Sequence, residues 1–352
     1  MNKEIGSEFW ETPLVDDDNG LFPADIHWLV SGRAAIAHVL DDLLKKNPSA
    51  SSAALPSWCC GSMIEPFFQR GFKLTFYPVS FMRKSGLKRD FSLAMGCDVL
   101  LVMSYFGFEE PEYPSDYSGV VINDITHSVL NRDVWLGDYV VGSLRKWMGI
   151  STGGYAWSRD GFVAEAPTGR LGEFEKLRRC AFVEKQKYME QDGEKEYLAI
   201  FSRANSMLEP CGIYAGDPKD SQTARHFNSC YLAARRRENY NCLRQFLGDY
   251  LLFDELPNTF VPLFVPLLLP DDVDKNTVRS NLACKRIYCP SHWPRDHRIP
   301  MLDSNSEVLY EREVSVPCDQ RYGIEEMTWL GEALLKTIQE NRGSGIVRLS
   351  QE

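Results

Sequence analysis

The chain has 352 residues, 44% hydrophobic and 25% charged, which is ordinary usage for a folded protein of up to two domains and excludes disorder over most of its length. Its formal net charge of −10 argues against nucleic acid or an anionic membrane as partner, because phosphate contacts need clustered Lys and Arg. The opening MNKEIGSEFWETPL has no continuous apolar segment, so the ten scattered cysteines are expected as reduced thiols in a cytoplasmic protein.

The first 22 residues are turn-rich around DDDNG. In VSGRAAIAHVLDDLLKKN a helix is expected from near Ser31, where the Ser-Gly pair supplies cap chemistry and Ala34, Ala35, Val39, Leu40, Leu43 and Leu44 form the apolar stripe. Such a start presents free backbone N–H groups and the positive end of the helix dipole, both suited to a phosphate. NPSASSAA at 47–54 reads as a loop, followed by a strand, a turn, a helix and a strand over 72–79. CDVLLVMSYFGF, GVVINDITHS, DYVVGSLRKW and GGYAWSRD each carry an apolar strand. Strands alternating with helices or loops indicate an α/β layer architecture, with a mostly parallel sheet between helices.

Residues 170–203 are charged and helical in character. From about 231 helices and short strands mix differently. The run Arg235, Arg236, Arg237 reads as a charged helix face. FVPLFVPLLLP, broken by Pro262 and Pro266, is too short to cross a bilayer and reads as an edge strand or two short strands. An amphipathic helix, GIEEMTWLGEALLKTIQEN, closes the pattern.

Chemistry gathers at two strand ends. In open α/β sheets, ligands sit in the crevice outside the carboxyl ends of the strands. Ser143 and Lys146 follow the apolar residues 139–141, and Asp124 and His127 follow 120–122. A single lysine beside a turn is ordinarily a solvated surface group. A carboxylate and a histidine at a second strand end change that reading. A desolvated lysine attacks carbonyls to form a Schiff base, and a carboxylate keeps a partner nitrogen protonated. With a helix start for a phosphate, these residues make up the set that pyridoxal phosphate chemistry requires.

These pieces resemble the fold-type I pyridoxal-phosphate enzymes and, within them, the DegT/DnrJ/EryC1/StrS sugar aminotransferases. The likeness runs through SGRAAI, LPSWCCGSMIEPFFQRGFKLTFYPV, SYFGF, INDITHS, SLRKWMGISTGG, RRRENYNCL, IYCPSHWP and VSVPCDQRYGIEEM, nearly the whole chain. It implies a large cofactor-binding α/β domain at 23–228 and a smaller α+β domain at 229–352 joined by residues 1–22. It implies that Lys146 carries pyridoxal 5'-phosphate as an internal aldimine and shuttles the proton. Asp124 would pair with the ring nitrogen, and His127 would lie against the ring oxygen or the incoming amine. Gly32, Arg33 and Ala34 would bind the phosphate through backbone N–H groups, with Ser143 adding a hydroxyl. Trp58 and Cys60 would flank the ring. Cys59 and Cys60 stand where the family has a stacking aromatic, and Arg33 where a small hydroxyl residue is common.

The resemblance further implies a homodimer, with Asn205 as a contributor to the other subunit's site, moving an amino group from a donor such as glutamate to a keto-sugar. Alternatives of other classes are a pyridoxal-phosphate dehydratase or lyase, a non-catalytic protein of this fold, and a structural zinc site at Cys284, Cys289, His292 and His297. Ile287 and Tyr288 between the two cysteines read as a strand, which points the cysteines to opposite faces and argues against zinc. No metal is expected.

Overall fold

The structure, a computed structural model, describes residues 4–82, 86–191, 193–210, 212–301 and 304–343. Its centre is a seven-stranded sheet. The strands are β1 (His27–Leu29), β2 (Ser52–Pro56), β3 (Lys73–Tyr77), β4 (Val99–Met103), β5 (Val120–Asp124), β6 (Tyr139–Ser143) and β7 (Gly154–Ser158), in the spatial order β1-β7-β6-β5-β4-β2-β3. β7 runs antiparallel to both of its neighbours and all other pairs are parallel, as the apolar runs of β4 to β6 require of strands covered on both faces. β2 begins at Ser52, so the tract expected as a loop to 54 gives its last three residues to the sheet, where Ala53 and Ala54 are fully buried.

Helix α1 (Gly32–Lys46) leaves the end of β1. The Ser31 side chain caps it by accepting from Ala34 N–H, and Lys45 and Lys46 complement its carboxyl end. Gly154 of β7 lies opposite both Leu29 and Ser143, so the ends of β1 and β6 flank one residue. A Cβ on Gly154 would stand 2.1 Å from the Ser31 carbonyl oxygen, which explains the glycine there. This close approach brings the start of α1 beside the end of β6.

Helices α2 (Gly61–Gln69), α3 (Gly172–Glu190) and α4 (Tyr197–Ser206) follow, the last two packed on each other. Later in the chain α5 (Ser229–Leu247) packs on α7 (Ile324–Glu340), and α6 (Lys275–Cys284) lies against α7. Two small ladders stand apart from the central sheet. Val265–Leu268 pairs with Glu313–Val316, which realises the proline-broken run as one short strand, and Ile5–Gly6 pairs with Ile287–Tyr288.

The arginine run of α5 is not a uniform solvated face. Arg236 is fully buried, stacks on Trp147 at 4.6 Å and donates to the Leu263 carbonyl at 2.8 Å and Gln320 Oε1 at 3.0 Å. Helical spacing put one of the three inward, and buried carbonyls made that position suitable for a guanidinium. No helix among the described residues is long and apolar enough to cross a membrane. The nine described cysteines are all free, and Cys211 lies outside the described residues.

Candidate functional site

A cavity of about 710 Å³ opens at the carboxyl ends of β5 and β6. It collects Asp124, His127, Ser143, Lys146, Gly32, Arg33 and Cys60 on its walls, together with Arg145, Asn205, His292, Trp293 and residues 6–9.

Asp124 ends β5 and is 7% exposed. Its carboxylate is hydrogen-bonded to Thr126, accepting from the N–H at 2.9 Å and from the side chain. Burial pushes its pKa up, against those bonds and the attraction of Lys146. Lys146 sits in a short 3-10 turn after β6, locked to the Asp124 loop by Trp147, whose Nε1 donates to the Thr126 carbonyl at 2.6 Å. Gln320 Nε2 donates to the Trp147 carbonyl at 2.8 Å, and Arg236 also reaches it. The lysine backbone is therefore held from both sides.

The protonation of Lys146 can be read from its neighbours. Phe106 N–H donates to His127 Nδ1 at 3.2 Å, so that nitrogen carries a lone pair and the ring proton is on Nε2. His127 Nε2 lies 2.8 Å from Lys146 Nζ. A protonated Nε2 must donate, and its acceptor is then the lone pair of an uncharged amine. The same direction follows from burial, which pulls the Lys146 pKa down against the pull of Cys60 and Asp124. Burial and then Lys146 and His292 hold His127 well below the usual imidazole range. Phe106 itself has φ +58 and Gly107 φ +84, a turn in the left-handed region that aims this one N–H at the histidine. A Cβ on Gly107 would stand 2.2 Å from the Val261 carbonyl oxygen.

At the other wall a Cβ on Gly32 would lie 3.2 Å from the Ser143 Cβ, so the first turn of α1 and the end of β6 form one cradle. The amides of Gly32 and Arg33 have no hydrogen-bond partner among the described residues, as befits the first turn of a helix. Ala34 differs from expectation. Its N–H is taken by Ser31 Oγ at 3.2 Å and it does not line the cavity.

Trp58 also differs. It is 1% exposed, lies outside the cavity lining, stacks on Tyr105 at 4.8 Å and packs at a tilt against Trp293 at 4.5 Å. The residue turned inward at the end of β2 because its large ring completes the aromatic core there. Cys60, at the start of α2, keeps its place on the wall, its Sγ 2.9 Å from Ser62 Oγ.

The ring on the lysine side of the cavity is Trp293, 5.0 Å from the His127 ring and 5.7 Å from Lys146 Nζ. His292 beside it has a buried Nε2 without a partner and lies 5.4 Å from the His127 ring. Both arrive on a loop remote in sequence, where no periodicity marks them. Arg145 could have been found, since it occupies the same strand-end break as Lys146. Asn205 accepts from Arg145 Nη2 at 2.8 Å within the same chain. The four residues weighed as zinc ligands are scattered. Cys284 is exposed, Cys289 is buried, the His297 side chain is 90% exposed, and His292 belongs to the cavity. No group of three or more His, Cys, Asp or Glu among the described residues could hold a metal ion.

No protein-family model and no curated protein matches the sequence. Solved structures do match in three dimensions. The aminotransferase TlmJ from Streptoalloteichus hindustanus has 14% identity and a TM-score of 0.57, covering 90% of this chain and 86% of that one. PseC from Helicobacter pylori, an aminotransferase involved in the biosynthesis of pseudoaminic acid, has 12% identity and a TM-score of 0.60 over 95% of this chain and all of its own. NtdA from Bacillus subtilis, crystallised with bound cofactor PMP, has 12% identity and a TM-score of 0.61, covering 89% and 73%. The chain thus has the fold of these aminotransferases, a mostly parallel central sheet flanked by helices.

Proposed function

We propose that this protein is a pyridoxal-phosphate-dependent aminotransferase that passes an amino group from a donor such as glutamate to a keto-sugar. The observation that carries the reading is the buried Lys146 amine, set 2.8 Å from His127 Nε2 on the turn after β6, where burial pulls its pKa down. An uncharged buried amine is a nucleophile toward carbonyls, and no structural role requires one at the floor of a cavity.

The residues fit the cofactor at three further points. The open amides of Gly32 and Arg33 and the Ser143 hydroxyl suit a phosphate at a helix start. Asp124 is buried, and burial outweighs its Thr126 hydrogen bonds and the attraction of Lys146, so a protonated ring nitrogen would supply the close cationic partner that offsets it. The cavity is large enough for a cofactor and a small substrate together. When bound, pyridoxal phosphate supplies an electron sink that stabilises negative charge on the substrate carbon.

The protein's own part is proton management. Lys146 Nζ takes a proton in one half-reaction and returns it in the other, which needs a pKa depressed toward neutrality, the direction its burial imposes. His127 Nε2 orients that amine, and Phe106 N–H fixes the tautomer. Asp124 would hold the proton of a bound ring nitrogen. Trp293 and Phe264 give the lysine side an apolar wall that excludes water.

The reading includes a division at 228, with residues 1–22 joining the later part. The pairing of Ile5–Gly6 with Ile287–Tyr288 supports that division. It also includes a cytoplasmic homodimer whose second subunit completes the site. The test is the absorption spectrum of purified protein with pyridoxal phosphate, followed by borohydride reduction and peptide mapping. An adduct on Lys146 is expected. Folded protein with no adduct, or with the adduct on another lysine, would overturn the reading.

A further inference from the structure

Four arginines line the cavity, and two of them are satisfied within the protein. Arg321 is held by Asp319 through two hydrogen bonds of 2.8 and 2.9 Å, and Arg279 Nε donates to the Cys289 carbonyl at 3.0 Å. The other two, Arg33 and Arg145, emerge on either side of the Gly32–Ser143 cradle and reach the same turn. Arg33 Nη1 donates to the Leu208 carbonyl at 2.8 Å, Arg145 Nη2 donates to Asn205 Oδ1 at 2.8 Å, and Leu208 N–H donates to the Asn205 carbonyl at 3.1 Å. Arg178 of α3, 1% exposed, stands close enough to repel Arg145.

The charge of this wall does not balance. Among the described residues neither Arg33 nor Arg145 has a carboxylate within ion-pair distance; Glu8, 3.6 Å from Arg178 Nη1, attracts Arg145 and Arg178, and Asp220 also attracts Arg178. The Nε atoms of Arg145 and Arg178 and the Nη1 of Arg178 are buried without a hydrogen-bond partner. Burial and then the facing Arg178 pull the Arg145 pKa down to about 9. Three guanidinium groups facing the half-exposed Glu8 and an Asp220 already paired with Arg179 are costly to bury unless an anion joins them.

We infer that Arg145, assisted by Arg33, is the charged half of a phosphate site whose neutral half is the Gly32 and Arg33 amides with Ser143, and that the phosphate is the cofactor's. The inference rests on the proposed cofactor. A phosphate dianion matches the geometry better than a carboxylate, because donors approach from two walls and three or more oxygens are needed to meet them. Gly32, Arg33, Ser143 and Lys146 line one cavity, which ties the phosphate to the molecule that the lysine holds. A phosphorylated substrate is the other source of the same chemistry, and the experiment separates the two.

The apoprotein is titrated with pyridoxal phosphate and with pyridoxal, which lacks the phosphate, and its melting temperature is followed in inorganic phosphate. Arg145→Gln should raise the Kd for pyridoxal phosphate by about tenfold or more while leaving that for pyridoxal within about twofold, and should remove the stabilisation by inorganic phosphate. Arg145→Lys should restore part of the affinity, and Arg33→Gln should give a smaller loss. Equal weakening of both ligands, or of neither, would overturn the assignment. Unchanged cofactor affinity with a raised KM for a phosphorylated acceptor would give the site to the substrate and overturn its assignment to the cofactor. A wild-type protein that binds neither vitamer overturns the cofactor reading itself, whereas a response to inorganic phosphate lost in Arg145→Gln still upholds the anion site.

Discussion

Helix α1 has a buried polar cluster near each end, and the two differ in how completely they are satisfied. Toward its carboxyl end, Asp42 is fully buried and accepts from Val163 and Ala164 N–H at 2.6 Å each, from Tyr139 OH at 2.6 Å and from Lys46 at 2.9 Å. Close by, His27 Nδ1 lies 2.8 Å from His38 Nε2, with Phe162 stacked on His27 at 4.3 Å. At its amino end, among the described residues, the Gly32 and Arg33 amides stay open, Asp124 is bonded only locally to Thr126, and Arg145 Nε has no partner. Both clusters contain an acid, a histidine and a lysine. The first spends its hydrogen-bonding capacity on the fold, while the second keeps its capacity directed at a cavity, which is what a ligand requires.

The contrast can be broken most severely at Lys146. Lys146→Ala should lose both half-reactions, by about 10⁴-fold or more, while still binding pyridoxal phosphate without covalent attachment. Turnover retained in single-turnover assays would remove Lys146 from the site.

The two acids give a paired prediction. Asp124→Asn should cut the rate by about 10²- to 10³-fold, yet leave the apoprotein as stable or more stable, since burial disfavours its charge. Asp42→Asn should leave cofactor affinity unchanged and cost about 3 kcal/mol in chemical denaturation, because its four donors lose a charged acceptor. Interchanged outcomes would erase the distinction between the clusters.

A smaller effect concerns pH. Burial, then His27, holds the His38 pKa down at about 4, while in the unfolded chain histidine titrates at about 6.5. Between those values the unfolded state binds the extra proton. Stability is therefore greatest above the unfolded value and falls as pH drops toward about 4, by up to about 1.4 kcal/mol per pH unit. Denaturation curves at several pH values should show this slope in the wild type and a shallower one in His38→Gln. An identical slope would mean the pair is not kept neutral by the fold.

Much of the site could be read from strand ends. Asp124, His127, Ser143 and Lys146 interrupt apolar runs just where a parallel sheet opens its crevice, and Ser31-Gly32 marks a helix start by local cap chemistry. Those signals are local, and the structure brings the residues to one cavity. Trp58 was not readable, because whether a ring at a strand end faces a cavity or the core depends on what packs behind it, here Tyr105 and Trp293. Arg236 misled for a similar reason. Its spacing on α5 fits a charged face, and only the carbonyls of a distant loop turn it into a buried donor.

By itself the sequence determined the elements and their chemistry: which runs form buried strands, where α1 is capped, and which polar groups stand at the ends of β5 and β6. These follow from periodicity and from hydrogen bonds within a few residues, which need no knowledge of the rest of the chain. Tertiary structure decided what each polar group was left free to do. The tautomer of His127 depends on an amide from another loop, the lowered pKa of Lys146 on its burial, and the open valences of Arg145 on the count of charges facing it from α1, α3 and residues 6–9. Whether a group is satisfied is a property of everything around it, and the surroundings of a buried group are assembled from segments far apart in the chain.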